Sequence, residues 1–244
     1  MLVEKEKEKG MLVALTADNK RIDAKHANRD EIYYCPLCKK EVILEKNTYF
    51  ADQFKHKDNT KCDAFEGRIT NWSANWQEQF PIKNREVVVI KRRNRERHKA
   101  DVKIGKYVLL FRTLPLARED FNATTKFFKE EGYKVIWIFN ISAFVDTGGI
   151  TAEKERSLGY SKGTHWYWKY PRNFLQDFNP QTNQVMVFFQ MHKSDLKDCN
   201  GDKYLERIIK LDTISKKSNL QRFTTASLPG SKSELLYALK TKSL

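Results

Sequence analysis

Asp101-Val102-Lys103-Ile104-Gly105-Lys106-Tyr107-Val108-Leu109-Leu110-Phe111-Arg112-Thr113 is the stretch whose reading decides the fold. Two strands are expected here, His98 to Ile104 and Tyr107 to Thr113, joined by a tight turn at Gly105-Lys106. A strand ending in an Asp, a short turn, then a strand carrying an acid and a Lys or Gln two residues on is the layout of a metal-dependent nuclease core. Asp101 supplies the first acid, but Leu110 stands at the place of the second and Arg112 at that of its polar partner. Side chains two apart on a strand share a face, so Leu110 and Arg112 are both expected to point toward Asp101. The scaffold of such a site is kept and its chemistry is not.

Upstream, Arg85 to Lys91 makes a third strand, joined to the next by the basic loop Arg92-Arg93-Asn94-Arg95-Glu96-Arg97. Ile69, Trp72, Trp76 and Phe80 recur at helical spacing before Pro81, and Asp63 with Glu66 forms a helix-start box, so a helix from about 64 to 80 is expected. Downstream, a helix from about Arg118 to Glu131, closed by Gly132, precedes the apolar strand Lys134-Val135-Ile136-Trp137-Ile138-Phe139. Strand, helix and strand read as a parallel βαβ unit with a right-handed crossover. The order helix, three strands, helix, strand is that of the restriction-endonuclease-like nucleases. The fold class expected is therefore α/β (α+β mixed), with that core at 64–141.

The N-terminal part, 11–63, reads as a small β region around a metal knuckle. Met11 to Leu15 and Arg21 to Ala24 form a hairpin, and Cys35-Pro36-Leu37-Cys38 aims two thiolates at one point. His56 and Cys62 follow at ligand spacing, giving a Cys3His set with no open position, the mark of a structural zinc site. A redox CxxC normally opens a helix, whereas the strand-like Glu41-Val42-Ile43-Leu44 follows here. Cys199, in a polar loop, reads as a free thiol.

The chain has 244 residues and 45 Lys and Arg against 31 Asp and Glu, a formal charge of +14. Lys83 to Lys106 alone holds ten basic and three acidic residues, half of the excess. Such a balance favours a polyanionic partner or serves solubility. The first ten residues read as a solvated charged lead-in without an apolar signal core, and no run approaches a membrane span. A cytoplasmic protein that binds no membrane is expected. In the C-terminal extension, 142–244, an α+β segment is expected. Gly148-Gly149 and Gly159 to Gly163 bracket a loop, Val185 to Gln190 is a strand and Ser233 to Leu239 a short helix. Trp166, Tyr167 and Trp168 either pack in a core or stack on bases.

With these residues in view, the chain resembles the competence protein CoiA-like family, which pairs a zinc knuckle with a nuclease-like domain. The resemblance is carried by Tyr34-Cys35-Pro36-Leu37-Cys38, Phe54-Lys55-His56-Lys57 with Cys62, Asn75-Trp76, and His98-Lys99-Ala100-Asp101-Val102. Gly132 to Phe139 and Trp168-Lys169-Tyr170-Pro171-Arg172 extend it. The resemblance implies Glu-x-Gln on the third strand, where this chain has Leu110-Phe111-Arg112. It also implies polar site residues where Asn71, Ser73, Ala123, Thr124 and Asn140 stand, and a His at Gln53. Framework positions survive while site positions are replaced.

A catalytic Mg²⁺ needs carboxylate oxygens, and Asp101 alone offers one group, so Mg²⁺ is not expected. Asp101 either keeps a remnant metal role, helped by Glu78, Glu119 or Asp120 from the helices, or pairs with His98, Lys99 or Arg112. The function expected is a catalytically inactive CoiA-like accessory factor in bacterial DNA uptake or phage defence that binds nucleic acid, a protein partner or both. Arg92, Arg93, Arg95, Arg97, Lys99 and Arg112 are the expected phosphate contacts, with DNA the expected partner. The alternatives are an active metal-dependent DNA nuclease and a protein-only adaptor to a larger DNA-processing enzyme such as a CRISPR effector.

Overall fold

The computed structural model describes residues 10–58, 62–63, 69–114, 116–143, 150–153, 165–168, 184–192, 206–217, 220–226 and 232–241. The charged lead-in up to residue 9, Glu66, Gly148-Gly149, Gly159 to Gly163, Lys169 to Arg172 and Cys199 lie outside the described residues. Two compact units are present, one formed by the chain up to Arg112 with Lys126–Tyr133, the other by Thr113–Thr125 with Lys134 onward.

In the first unit, β1 (Val13–Leu15), β2 (Arg21–Asp23), β3 (Tyr33–Tyr34), β4 (Glu41–Glu45) and β5 (Gln53–His56) form a sheet in the order β2-β1-β3-β4-β5. Every pairing in it is antiparallel. Asn19 takes a left-handed φ of 61° in the turn between β1 and β2, a conformation that Asn tolerates better than most residues. Met11, Ala14, Tyr33, Leu37, Val42 and Phe54 fill the core beneath the sheet, and the rings of Tyr33 and Phe54 lie 5.0 Å apart.

The next element is shorter than the periodicity predicts. Helix α1 spans Asn71–Gln77, and Thr70 ahead of it is extended. Thr70 and Ser73 cap its start reciprocally: the Thr70 hydroxyl accepts from the Ser73 N–H at 3.1 Å and the Ser73 hydroxyl accepts from the Thr70 N–H at 2.9 Å. The expected continuous helix from 64 to 80 is thus corrected at Ile69 and Thr70, because a capping box at Thr70 fixes where the hydrogen bonding of α1 begins, and 64–68 lie outside the described residues. Trp76 is fully buried and stacks on Phe111 at 5.4 Å.

Strands β6 (Arg85–Ile90), β7 (Arg97–Ile104) and β8 (Tyr107–Thr113) follow as antiparallel neighbours. Gly105 turns the chain between the last two at a φ of +53°. A buried polar network binds this hairpin to the N-terminal sheet. The Glu86 carboxylate accepts from the Leu12 and Val13 N–H groups at 2.9 and 3.1 Å. Arg85 pairs with Asp23, and the Arg21 guanidinium donates to the carbonyls of Ile82, Arg85 and Glu86.

Helix α2 (Arg118–Glu130) ends as expected at Gly132, whose φ of +82° suits a residue without a side chain. In the second unit, β9 (Lys134–Asn140) is buried from Val135 to Phe139. Such a continuous apolar run suits a strand beside a parallel neighbour. That neighbour is β12 (Val185–His192), registered Val185↔Val135 through Gln190↔Asn140. Strands β10 (Ile150–Glu153), β11 (His165–Trp168), β13 (Glu206–Lys217) and β14 (Leu220–Ala226) complete the order β10-β11-β14-β13-β12-β9. The aromatic run Trp166–Trp168 is thus on a strand. Helix α3 (Lys232–Thr241) buries Leu235 and Leu239, one helical turn apart. The chain is mixed α and β, and α1, β6, β7, β8, α2 and β9 follow one another as helix, three strands, helix and strand. No helix among the described residues is long and apolar enough to cross a membrane.

Candidate metal centre and the strand-end acid

Cys35 leaves β3 into a knuckle. Its N–H donates to the Lys40 carbonyl at 2.9 Å and its carbonyl accepts from the Lys39 N–H at 3.0 Å, with Lys39 left-handed at a φ of 65°. The Leu37 N–H donates to the Cys35 sulfur at 3.4 Å, so the backbone already supports a charged thiolate there. His56 is the last residue of β5 and lies opposite Val42. Cys62 belongs to no strand or helix.

The structure brings these ligands together. Cys35 Sγ is 3.6 Å from Cys62 Sγ, Cys38 Sγ is 3.2 Å from His56 Nε2, and all four donor atoms lie within 4.8 Å of one another. Tetrahedral bonds of about 2.3 Å to sulfur and 2.0 Å to nitrogen place donors roughly 3.5–3.8 Å apart, so the set fits a metal ion and is compatible with zinc. Without a cation, three thiols at one point cannot share the negative charge equally. The Cys62 thiol donates to Cys35, which draws Cys35 down to about 4, and the same bond pushes Cys62 up. Burial pushes Cys38 up as well. The positive charge of Lys99, a buried residue, favours the thiolates of Cys35 and Cys62.

Asp63 does something the sequence does not announce. It is 1% exposed, and its carboxylate accepts from His98 Nδ1 and from the Lys99 N–H, each at 2.7 Å. The carboxylate thus serves β7, while the helix-start box it was expected to form with Glu66 lies outside the described residues. His98 Nε2 faces Glu96 Oε1 at 3.0 Å and its ring stands edge-on to Phe127 at 4.6 Å. Burial works against the charged imidazole, yet the bonds to Asp63 and Glu96 outweigh it and hold His98 above its usual range.

The β7–β8 ladder pairs Ile104 with Tyr107, Lys103 with Val108 and Val102 with Leu109. Further along, the side chain of Asp101 takes the place of a strand partner, accepting the Phe111 N–H on Oδ2 at 2.7 Å. The same oxygen accepts from Arg112 Nη1 at 2.5 Å, and Arg112 Nη1 also donates to the Phe111 carbonyl at 2.8 Å. Leu110 is fully buried and Arg112 is 8% exposed. Of the alternatives for Asp101, the partner is Arg112.

The basic loop is a tight hairpin closed by Lys91 N–H to the Glu96 carbonyl at 2.7 Å and Arg95 N–H to the Lys91 carbonyl at 2.9 Å. Arg92, Arg93, Arg95 and Arg97 are exposed, and their guanidinium groups form no ion pair among the described residues. Lys91 is different, pairing with Glu130 at 2.5 Å. Arg95 adopts a φ of 61°, which costs a residue with a Cβ about 1–2 kcal/mol.

Residues 16–65 match the family model of the competence protein CoiA N-terminal domain. Over those residues the chain is similar to the CoiA N-terminal domain. No curated protein and no solved structure matches the chain. All four candidate ligands, Cys35, Cys38, His56 and Cys62, fall inside the CoiA-like stretch, whereas Asp101, Arg112 and the basic loop lie beyond it.

Several positions where the CoiA resemblance implies site residues have local structural work. Asn71 Nδ2 donates to the Tyr49 carbonyl, and Ser73 completes the cap of α1. Gln53 Nε2 donates to Glu45 Oε2 at 2.7 Å. Asn140 Oδ1 accepts from the N–H and hydroxyl of Ser142 at 3.0 and 2.8 Å. Thr124 is buried and Ala123 is exposed.

Proposed function

We propose that this CoiA-like chain is a non-catalytic accessory protein that holds nucleic acid in bacterial DNA uptake or defence. On this reading a restriction-endonuclease-like core is retained as a scaffold and a structural zinc ion closes the Cys3His set. The observation that carries the reading is the Asp101–Arg112 pair. Metal-dependent hydrolysis needs several carboxylate oxygens converging on a hard cation. Here the one strand-end carboxylate already accepts from a guanidinium and an amide, and the opposing position is an apolar, buried Leu110.

The exposed arginines of the β6–β7 loop suit a phosphate backbone, since a guanidinium pairs with phosphate oxygens without reading base identity. Arg112 would have to leave Asp101 before it could join them. The deciding experiment incubates the purified protein with plasmid and single-stranded DNA in Mg²⁺ or Mn²⁺, beside a salt-titrated gel shift. No cleavage and a salt-sensitive shift are expected. Cleavage that disappears in Asp101→Ala would overturn the reading, and the absence of any shift would favour a protein-only adaptor.

A further inference from the structure

Between the metal centre and the basic loop runs a short chain of contacts. Cys62 is followed by Asp63, whose buried carboxylate accepts two 2.7 Å bonds from β7, from His98 Nδ1 and the Lys99 N–H. The other nitrogen of His98 meets Glu96. Glu96 is also the residue whose carbonyl closes the hairpin with the Lys91 N–H and whose carboxylate accepts from Asn94 Nδ2 at 3.2 Å. One peptide bond and two side-chain bonds therefore separate a candidate metal ligand from the base of the loop that displays Arg92, Arg93 and Arg95.

We propose that Asp63 is a positioning residue through which the Cys3His centre sets the conformation of the Arg92–Arg97 loop, so that metal occupancy governs affinity for a nucleic-acid backbone. The inference rests on the nucleic-acid reading of the loop and adds its regulation. Cys35 and Cys38 sit in a knuckle closed by backbone bonds and His56 ends a strand, so these three are placed by the sheet. Cys62 sits outside the regular elements, and its bond to a shared metal ion would fix the segment that carries Asp63. A loop whose closing residue is held through His98 is thereby pre-ordered, and pre-ordering lowers the entropy lost when binding immobilises side chains. Arg95 in a left-handed conformation is a feature such ordering would have to maintain.

The test uses the full chain and a fluorescein-labelled DNA duplex as probe, with zinc content measured on every sample. Asp63→Asn keeps all four ligands and the size of the side chain, but its amide cannot accept from both donors as the carboxylate does. It is expected to retain one zinc per chain and to bind the duplex about ten-fold more weakly, within the usual range of coupling between sites. Chelator-stripped wild-type protein is expected to show the same loss, restored by added zinc, with faster amide hydrogen exchange across Lys91–Lys99. His98→Gln, which breaks the same link one step later, serves if Asp63→Asn does not fold. Unchanged affinity and exchange in a zinc-loaded relay variant would overturn the coupling alone. Unchanged affinity after reversing Arg92, Arg93 and Arg95 would overturn the nucleic-acid reading and the coupling with it.

Discussion

Arg112 and Asp101 form an ion pair in which Nη1 lies 2.5 Å from Oδ2, with side-chain exposures of only 9% and 18%. Removing the acid takes the carboxylate away from a guanidinium that water barely reaches. Asp101→Ala is expected to cost about 3–5 kcal/mol, seen as a lower urea midpoint, while Arg112→Met leaves a partly hydrated carboxylate and costs less. Equal midpoints for wild type and Asp101→Ala would show that the pair does not hold β7 to β8.

Metal loading is expected to stabilise the fold. At free zinc a thousand times the dissociation constant the gain is about 4 kcal/mol, so chelation lowers the melting temperature and Cys35→Ser melts at the chelated value in either condition. Metal analysis of the wild-type protein should return one zinc per chain. A Cys35→Ser protein that melts like the zinc-loaded wild type would remove the site.

Arg92, Arg93 and Arg95 are expected to act as phosphate ligands and not as structural residues. Replacing all three by Gln should leave the melting temperature within a degree or so of wild type, since exposed substitutions rarely shift stability by more than about 0.5 kcal/mol. The slope of log affinity against log salt on duplex DNA should shrink by about 2.7, or 0.9 for each phosphate that is no longer neutralised. An unchanged slope would place the phosphate-binding residues elsewhere.

His98 links pH to stability. Its folded value is raised because bonds to Asp63 and Glu96 outweigh the penalty of burial, so the charged form binds its proton more tightly folded than unfolded. The stabilisation is full below the unfolded value of about 6.5 and is lost as pH rises through the raised folded value. Thermal melts from pH 5.5 to 9 should show this decline, and His98→Gln should flatten it. A variant with the wild-type profile would assign the decline to another group.

The legible parts of the fold are those encoded in local pattern. Tyr107–Thr113 is a strand because its apolar run meets a turn glycine, and Gly132 ends α2 because only a residue without a Cβ is at ease at its φ. Cys35, Cys38, His56 and Cys62 are legible as a group because ligand spacing is chemical. The service Asp63 gives His98, 35 residues away, has no local signature. Periodicity alone likewise overextends α1, since Ile69 fits the apolar spacing although Thr70 caps the helix after it. Strands β13 and β14 escape notice because charges and hydroxyls interrupt their apolar alternation, as in Glu206-Arg207-Ile208-Ile209-Lys210-Leu211-Asp212.

The carboxylate of Glu86 bears on how this protein can be dissected. It is the acceptor for the N–H groups of Leu12 and Val13, from 74 and 73 residues away, and it lies well past the end of the matched stretch at 65. A fragment cut at that limit would lose the acceptor for the Leu12 and Val13 amides and the three carbonyls to which the Arg21 guanidinium donates. What is inherited as a recognisable segment and what can stand by itself in solution are therefore different lengths of the same chain.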